Sequence, residues 1–190
     1  MPVDFDTAVS TLLTPGTEYV RLPTLIRQVW SELPEFDREY IAQNVHFSTF
    51  KQCTYVAEGT HGFTVWFNDF QRRTEALSGE IISIPGILSD YYLISFQVDL
   101  DADSNSTDIF VRYIIAHEFA HAVLRHSQLT VCSVENNLSG PLQARTHYYH
   151  NEINADLQVF RWGFEEEFYC GQQAKVIAQR KLRDKRIDRP

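Results

Sequence analysis

Apolar positions in the first fifty residues recur at spacings of three and four. In "LPTLIRQVWSEL", Leu22, Leu25, Ile26, Val29, Trp30 and Leu33 fall at helical spacings, and Pro23 stands near the start, where its missing N–H is tolerated. "PEFDREYIAQNV" predicts a second short helix opened by Pro34, so residues 1–50 read as helical. The period then changes. "GFTVWFND" alternates Phe63, Val65 and Phe67 against Thr64 and Trp66, with Gly62 before it and Asn68–Asp69 after it, which is the pattern of a strand. "GEIISIPG" is a β-branched run between glycines, and "YYLISFQVDL" is a third strand candidate ended by "DADSNST". These segments predict a small, mainly antiparallel sheet of about three strands.

"DADSNST" also predicts a helix start. Ser106 or Thr107 can cap it, and Asp108 places a negative charge in the first turn, where the helix dipole favours one. The helix is expected from about Thr107 to Ser127, broken by "VENNLSGP". A second long helix is expected from His147 or His150 through "NEINADLQVFRWGFEEEF", closed by Gly171. The class is therefore α+β: N-terminal helices, the sheet, then two long helices. Residues 1–171 read as one domain, followed by a tail over residues 172–190.

Composition narrows the classes. The 190 residues are 44% hydrophobic and 13% aromatic, enough for a packed core. No apolar run approaches the roughly 20 residues that span a bilayer, so no membrane association is expected. "MPVDFDTAVSTLL" has no basic leader, and on that reading the sequons at Asn105 and Asn137 are chance matches. Cys53, Cys132 and Cys170 are odd in number and widely spaced, which argues against a disulfide framework or a cysteine zinc module and for cytoplasmic thiols. The net charge of -8 disfavours a general nucleic-acid binder. The tail is the exception, with seven Lys/Arg against two Asp, while the rest carries ten basic and 23 acidic groups. A solvated helix end is its simplest reading. A docking arm for nucleic acid or an acidic partner is the other.

The chemistry is concentrated in "RYIIAHEFAHAV". His117 and His121 are four apart, hence on one helix face, and can offer two imidazole nitrogens to one ion, with Glu118 beside it. H-E-x-x-H on a helix is the zinc metalloprotease signature, in which the glutamate takes the proton of a zinc-activated water. The helix is otherwise apolar, with Ile114, Ile115, Phe119, Ala120, Val123 and Leu124, and a buried polar stripe must be satisfied by something. A catalytic zinc needs a third protein ligand. Downstream, in "HYYHNEINAD", Glu152 and Asp156 are again four apart. Glu152 is the leading candidate for the ligand, and Asp156 for a hydrogen-bond acceptor that fixes the tautomer of a zinc-bound histidine. His147 and His150 remain rival ligands. His126 is a weaker one, since the longer metzincin pattern would place glycine at 124 and histidine at 127, where Leu124 and Ser127 stand; His126 is expected as an exposed helix-end residue. Tyr148, Tyr149 and His147 are candidate donors to a transition-state oxyanion. "GFTVWFND" is a candidate edge strand for substrate addition.

A glutamate followed four residues later by aspartate, on the helix after HExxH, is the gluzincin arrangement. "HEFAHAVLRHS" followed by "NEINADLQVFRWGF" resembles the ImmA/IrrE family of small zinc peptidases over roughly residues 60–170. The resemblance implies a zincin-like fold, His117, His121 and Glu152 as metal ligands, Glu118 as general base and Asp156 as the orienting group. It also implies a cytosolic regulator or repressor as the protein substrate. The chain departs from the family in the aromatic and acidic stretch "RWGFEEEFYC" and in a longer connecting segment, so the substrate carries over less well than the chemistry. The first expectation is a zinc metallopeptidase. Two others stand beside it: a non-catalytic module of the same fold that binds a protein partner, and a hydrolase of a non-peptide amide or ester.

Overall fold

The computed structural model describes residues 5–10, 21–50, 61–67, 91–97, 100, 106–126 and 142–187. Its elements in chain order are α1 (Phe5–Ser10), α2 (Arg21–Glu32), α3 (Glu35–Asn44), β1 (Val45–Phe50), β2 (Gly62–Phe67), β3 (Tyr91–Gln97), α4 (Asp108–Val123), α5 (Leu142–Arg161) and α6 (Glu165–Ile187). The described residues are α+β, mostly helical, with one small sheet.

The apolar face read from the α2 spacing is the face that packs. Leu22, Leu25, Ile26, Val29 and Leu33 are buried, and Trp30 packs against the core in part. α3 runs into β1 without a turn: Val45 caps the helix, its N–H donating to the Ile41 carbonyl, and is already extended at φ -114 and ψ 133. Residues 45–50 are therefore a strand rather than the end of a helical segment. Val45, Phe47 and Thr49 do alternate with His46, Ser48 and Phe50, a period-2 signal too short to stand out after a helix.

The sheet order is β1-β3-β2. β2 and β3 pair antiparallel, with Thr64 opposite Ile94. β1 pairs parallel to β3, with Phe47 opposite Ile94. The sheet is thus mixed, not mainly antiparallel. β1 and β2 flank β3 on opposite sides, so no hairpin joins them, and the central β3 is buried along its whole length. "GEIISIPG" lies outside the described residues.

α4 is the hub, in contact with α2, α3, β2, β3, α5 and α6. Thr107 caps it by accepting from the Phe110 N–H at 3.2 Å. Asp108 pairs with Arg21 Nε at 2.7 Å, and the Arg21 guanidinium also donates to the Leu100 and Ser106 carbonyls, which ties the start of α2 to the start of α4. Arg112 bridges three helices, reaching Glu32 on α2 at 2.6 Å and Glu167 on α6 at 2.7 Å. Among the described residues no helix is long and apolar enough to cross a membrane.

Two helix ends differ from the sequence reading. α4 stops at Val123, before Ser127. α5 stops at Arg161, and the break is Gly163 at φ 87, a left-handed position that suits glycine. Gly171 is instead inside α6, which continues to Ile187 and takes in most of the segment read as a tail. Glycine is required there for packing: a Cβ at 171 would lie well inside contact distance of three Tyr113 ring atoms, so α6 can press its backbone onto α4 only without one.

Candidate metal centre

α4 and α5 pack together, and each contributes a pair of polar residues one turn apart. His117 and His121 come from α4, Glu152 and Asp156 from α5. His117 Nε2 and His121 Nε2 lie 3.0 Å apart. Glu152 closes the group, with Oε2 at 3.3 Å from His117 Nε2 and Oε1 at 3.4 Å from His121 Nε2. Zinc held tetrahedrally at about 2.0–2.1 Å by nitrogen and oxygen requires donor–donor edges of about 3.3 Å. The three observed edges lie close to that figure, and the group, two buried histidines and a half-buried glutamate, can hold a metal ion.

Asp156 supports the group from behind. Its Oδ1 accepts from the Tyr113 hydroxyl at 2.7 Å and Lys175 Nζ at 2.9 Å, and its Oδ2 from Gln172 Nε2 at 2.9 Å and Lys175 Nζ at 2.8 Å. His117 Nδ1 also lies 2.9 Å from Oδ1. That approach is close enough for an ion pair but lacks hydrogen-bond alignment, which leaves Nδ1 as a buried side-chain atom without a hydrogen-bond partner. The Asp156 oxygens are already taken by Tyr113, Gln172 and Lys175, so His117 meets a carboxylate turned towards α6.

Glu118 is buried on the sheet side of α4. Its Oε2 accepts from the Thr64 hydroxyl at 2.7 Å, and the same hydroxyl lies 3.2 Å from the Glu118 carbonyl. Gly62 makes this approach possible. A Cβ there would come within 3.0 Å of Glu118 Cγ and 3.2 Å of Ile114 Cγ2.

The electrostatics follow from burial against these partners. Burial pushes the His117 imidazole down, but Asp156 and Glu152 outweigh it and raise its pKa to about 9. Burial pushes the Glu152 carboxyl up, and the two histidines hold it well below the ordinary value. Asp156 is likewise depressed, by His117 and Lys175 against burial. Burial above all pushes His126 down to about 4, so it is neutral near pH 7. In the metal-free protein at pH 7 His117 therefore carries a proton that a metal must displace. Zinc binding at pH 7 is expected to release about one proton from this group, and apparent affinity to rise about tenfold per pH unit up to roughly pH 9. Calorimetry in buffers of different ionisation enthalpy measures the proton count. A count of zero at pH 7 would contradict the raised His117.

Of the sequence-predicted residues, His117, His121, Glu152, Glu118 and Asp156 come together here. Tyr149 and His150 are exposed on α5. The side chains of His147 and Tyr148 lie outside the described residues, as do Cys53, Cys132, Asn105 and Asn137. His126 is buried rather than exposed, with its Nδ1 at 3.0 Å from His121 Nδ1. Sequence reasoning missed Thr64, Gln172 and Lys175. Thr64 had one available signal, a small polar residue on the Gly62 side of an otherwise apolar strand. Gln172 and Lys175 had none, because their contact depends on how α6 folds back. No protein-family model matches this chain, and no curated protein or solved structure matches it either.

Proposed function

We propose that this chain is a zinc-dependent metallopeptidase of gluzincin type and zincin-like architecture, hydrolysing a peptide bond in a protein substrate. The observation that carries the reading is the convergence of His117 Nε2, His121 Nε2 and the Glu152 carboxylate on one point, with a buried, hydrogen-bonded Glu118 on the helix that carries both histidines. Three protein donors leave a fourth position open, as a catalytic zinc site requires. Zinc in that group supplies a lowered pKa for water and polarisation of a carbonyl oxygen. Glu118 accepts the water proton as the water oxygen attacks the amide carbon, then delivers it to the nitrogen as the C–N bond breaks. Thr64 holds the Glu118 carboxylate in place for both transfers.

The sheet supports a peptide rather than a small amide as substrate. Among the described residues β2 is an outer strand in the order β1-β3-β2, and an extended peptide can add beside such a strand through main-chain hydrogen bonds. Gly62 and Thr64 bring that strand directly against Glu118. The two-motif resemblance to ImmA/IrrE peptidases supports a cytoplasmic regulator or repressor as the protein cleaved.

Metal content tests the proposal. Elemental analysis of protein purified without added metal is expected to find near one zinc per chain in the wild type and a sharp fall in Glu152→Ala. The zinc-loaded wild type is then expected to cleave members of a peptide library. No metal in either protein after zinc is supplied would overturn the reading. Full zinc occupancy with no peptide cleaved would leave the binding module in its place.

A further inference from the structure

We infer that His126 is a positioning residue for the metal centre: its Nδ1 accepts the Nδ1–H of His121 and thereby presents the His121 Nε2 lone pair to the ion. The inference rests on the metal-centre reading above and adds a residue to it.

Arg125 is left-handed, at φ 56. Its N–H donates to the Ala122 carbonyl at 3.0 Å, and the His126 N–H to the His121 carbonyl at 2.9 Å. This is a Schellman motif, which brings the residue after the left-handed position against the residue five before it. The end of α5 shows the usual form. Gly163 takes the left-handed position, the Phe164 N–H donates to the Val159 carbonyl at 3.3 Å, and Phe164 and Val159 are both buried in the core. In α4 the corresponding pair is two imidazoles. Their ring centroids lie 5.0 Å apart at 69°, with Nδ1 to Nδ1 at 3.0 Å. The left-handed residue is an arginine, a conformation disfavoured for a side chain with a Cβ. Arg125 holds it with its guanidinium 5.7 Å from the Tyr40 ring.

The direction of the hydrogen bond follows from the ligand geometry. His121 Nε2 faces His117 Nε2 at 3.0 Å and Glu152 at 3.4 Å, so Nε2 is the nitrogen available to an ion. A neutral imidazole bound through Nε2 carries its proton on Nδ1. His121 is 1% exposed, and a buried N–H requires an acceptor. His126 Nδ1 is in place. His126 itself stays out of the ligand group, because it meets the nitrogen of His121 that points away from it. The two ligating imidazoles thus have different neighbours behind them, His117 the Asp156 carboxylate and His121 the His126 ring.

The test compares His126→Phe, which keeps a ring and removes the acceptor, with His126→Gln, which restores a carbonyl acceptor. Zinc affinity is measured by competition with a chromophoric chelator, with folding of the metal-free proteins followed by circular dichroism. The Phe variant is expected to bind zinc about 10–100-fold more weakly, and the Gln variant to recover most of the loss. In zinc-loaded wild type, long-range 1H–15N spectra are expected to show His121 protonated on Nδ1, with an N–N coupling to His126 Nδ1 through the hydrogen bond. A folded Phe variant of unchanged affinity, a Gln variant as weak as Phe, or a wild type lacking that coupling overturns the inference while the metal centre stands. The spectra decide the matter even where His126→Phe does not fold. Failure of the wild type to bind zinc removes the metal centre and this inference with it.

Discussion

Glu118→Gln is expected to leave the chain folded and its metal bound, and to lower peptide-bond cleavage about 10³-fold. Glutamine keeps the shape of glutamate, and its amide oxygen can still accept from the Thr64 hydroxyl that now donates to Oε2 at 2.7 Å. Residue 118 is not one of the three whose ligand atoms converge, His117, His121 and Glu152. What it loses is the basicity needed to take a proton from water, and a positioned general base contributes roughly 10²–10⁴-fold. Zinc content and single-turnover cleavage, measured on the same preparation, check both halves of the statement. Undiminished cleavage by a fully metallated variant would sink the mechanism. Loss of zinc would instead show that Glu118 takes part in holding the ion.

Gly171→Ala is expected to destabilise the fold by about 2 kcal/mol or more and to weaken metal binding. Two effects oppose each other. Alanine is favoured over glycine inside a helix by about 1 kcal/mol, and Gly171 lies well within α6. Against that, the new methyl meets the Tyr113 ring, and overpacking a tight contact costs about 1–3 kcal/mol and more when neither side can move. Tyr113 cannot swing aside easily, since it is 2% exposed and its hydroxyl is bonded to Asp156 at 2.7 Å. The clash wins. At this chain length the melting temperature is expected to fall by about 4–8 °C. Moving Tyr113 also disturbs Asp156 behind His117, so zinc affinity falls with it. Thermal melts of the metal-free protein and chelator competition measure the two effects separately. A melting temperature at or above that of the wild type would mean that α6 does not pack on α4 through this contact.

Where an element is defined by its own period, the sequence was enough to find it. The α2 face, the strands beginning at Gly62 and Tyr91, and the Thr107 cap of α4 all appear close to where spacing and capping rules put them. β1 was lost because Val45–Phe50 follows α3 with no turn residue between them. The two glycines show the limit most clearly. Gly163 and Gly171 both follow helical patterns, and a glycine rule cannot choose between them. The left-handed backbone at 163 and the Tyr113 ring at 171 make one a stop and the other a contact. His126 was misplaced for a similar reason. Nothing local says that Arg125 will adopt a left-handed conformation and fold the next ring inward.

The candidate site residues divide the same way. His117, His121 and Glu118 on one helix, and Glu152 and Asp156 on another, are related by 3.6-residue geometry, a local property written into their spacing. The meeting of the two pairs is not local. It depends on α4 and α5 packing at one angle and depth, on Thr64 reaching Glu118 across 54 positions of chain, and on α6 returning Gln172 and Lys175 to Asp156. Helical spacing constrains rotation about one axis. The distance between two axes is set by the side chains buried between them, and only the folded chain brings those side chains together.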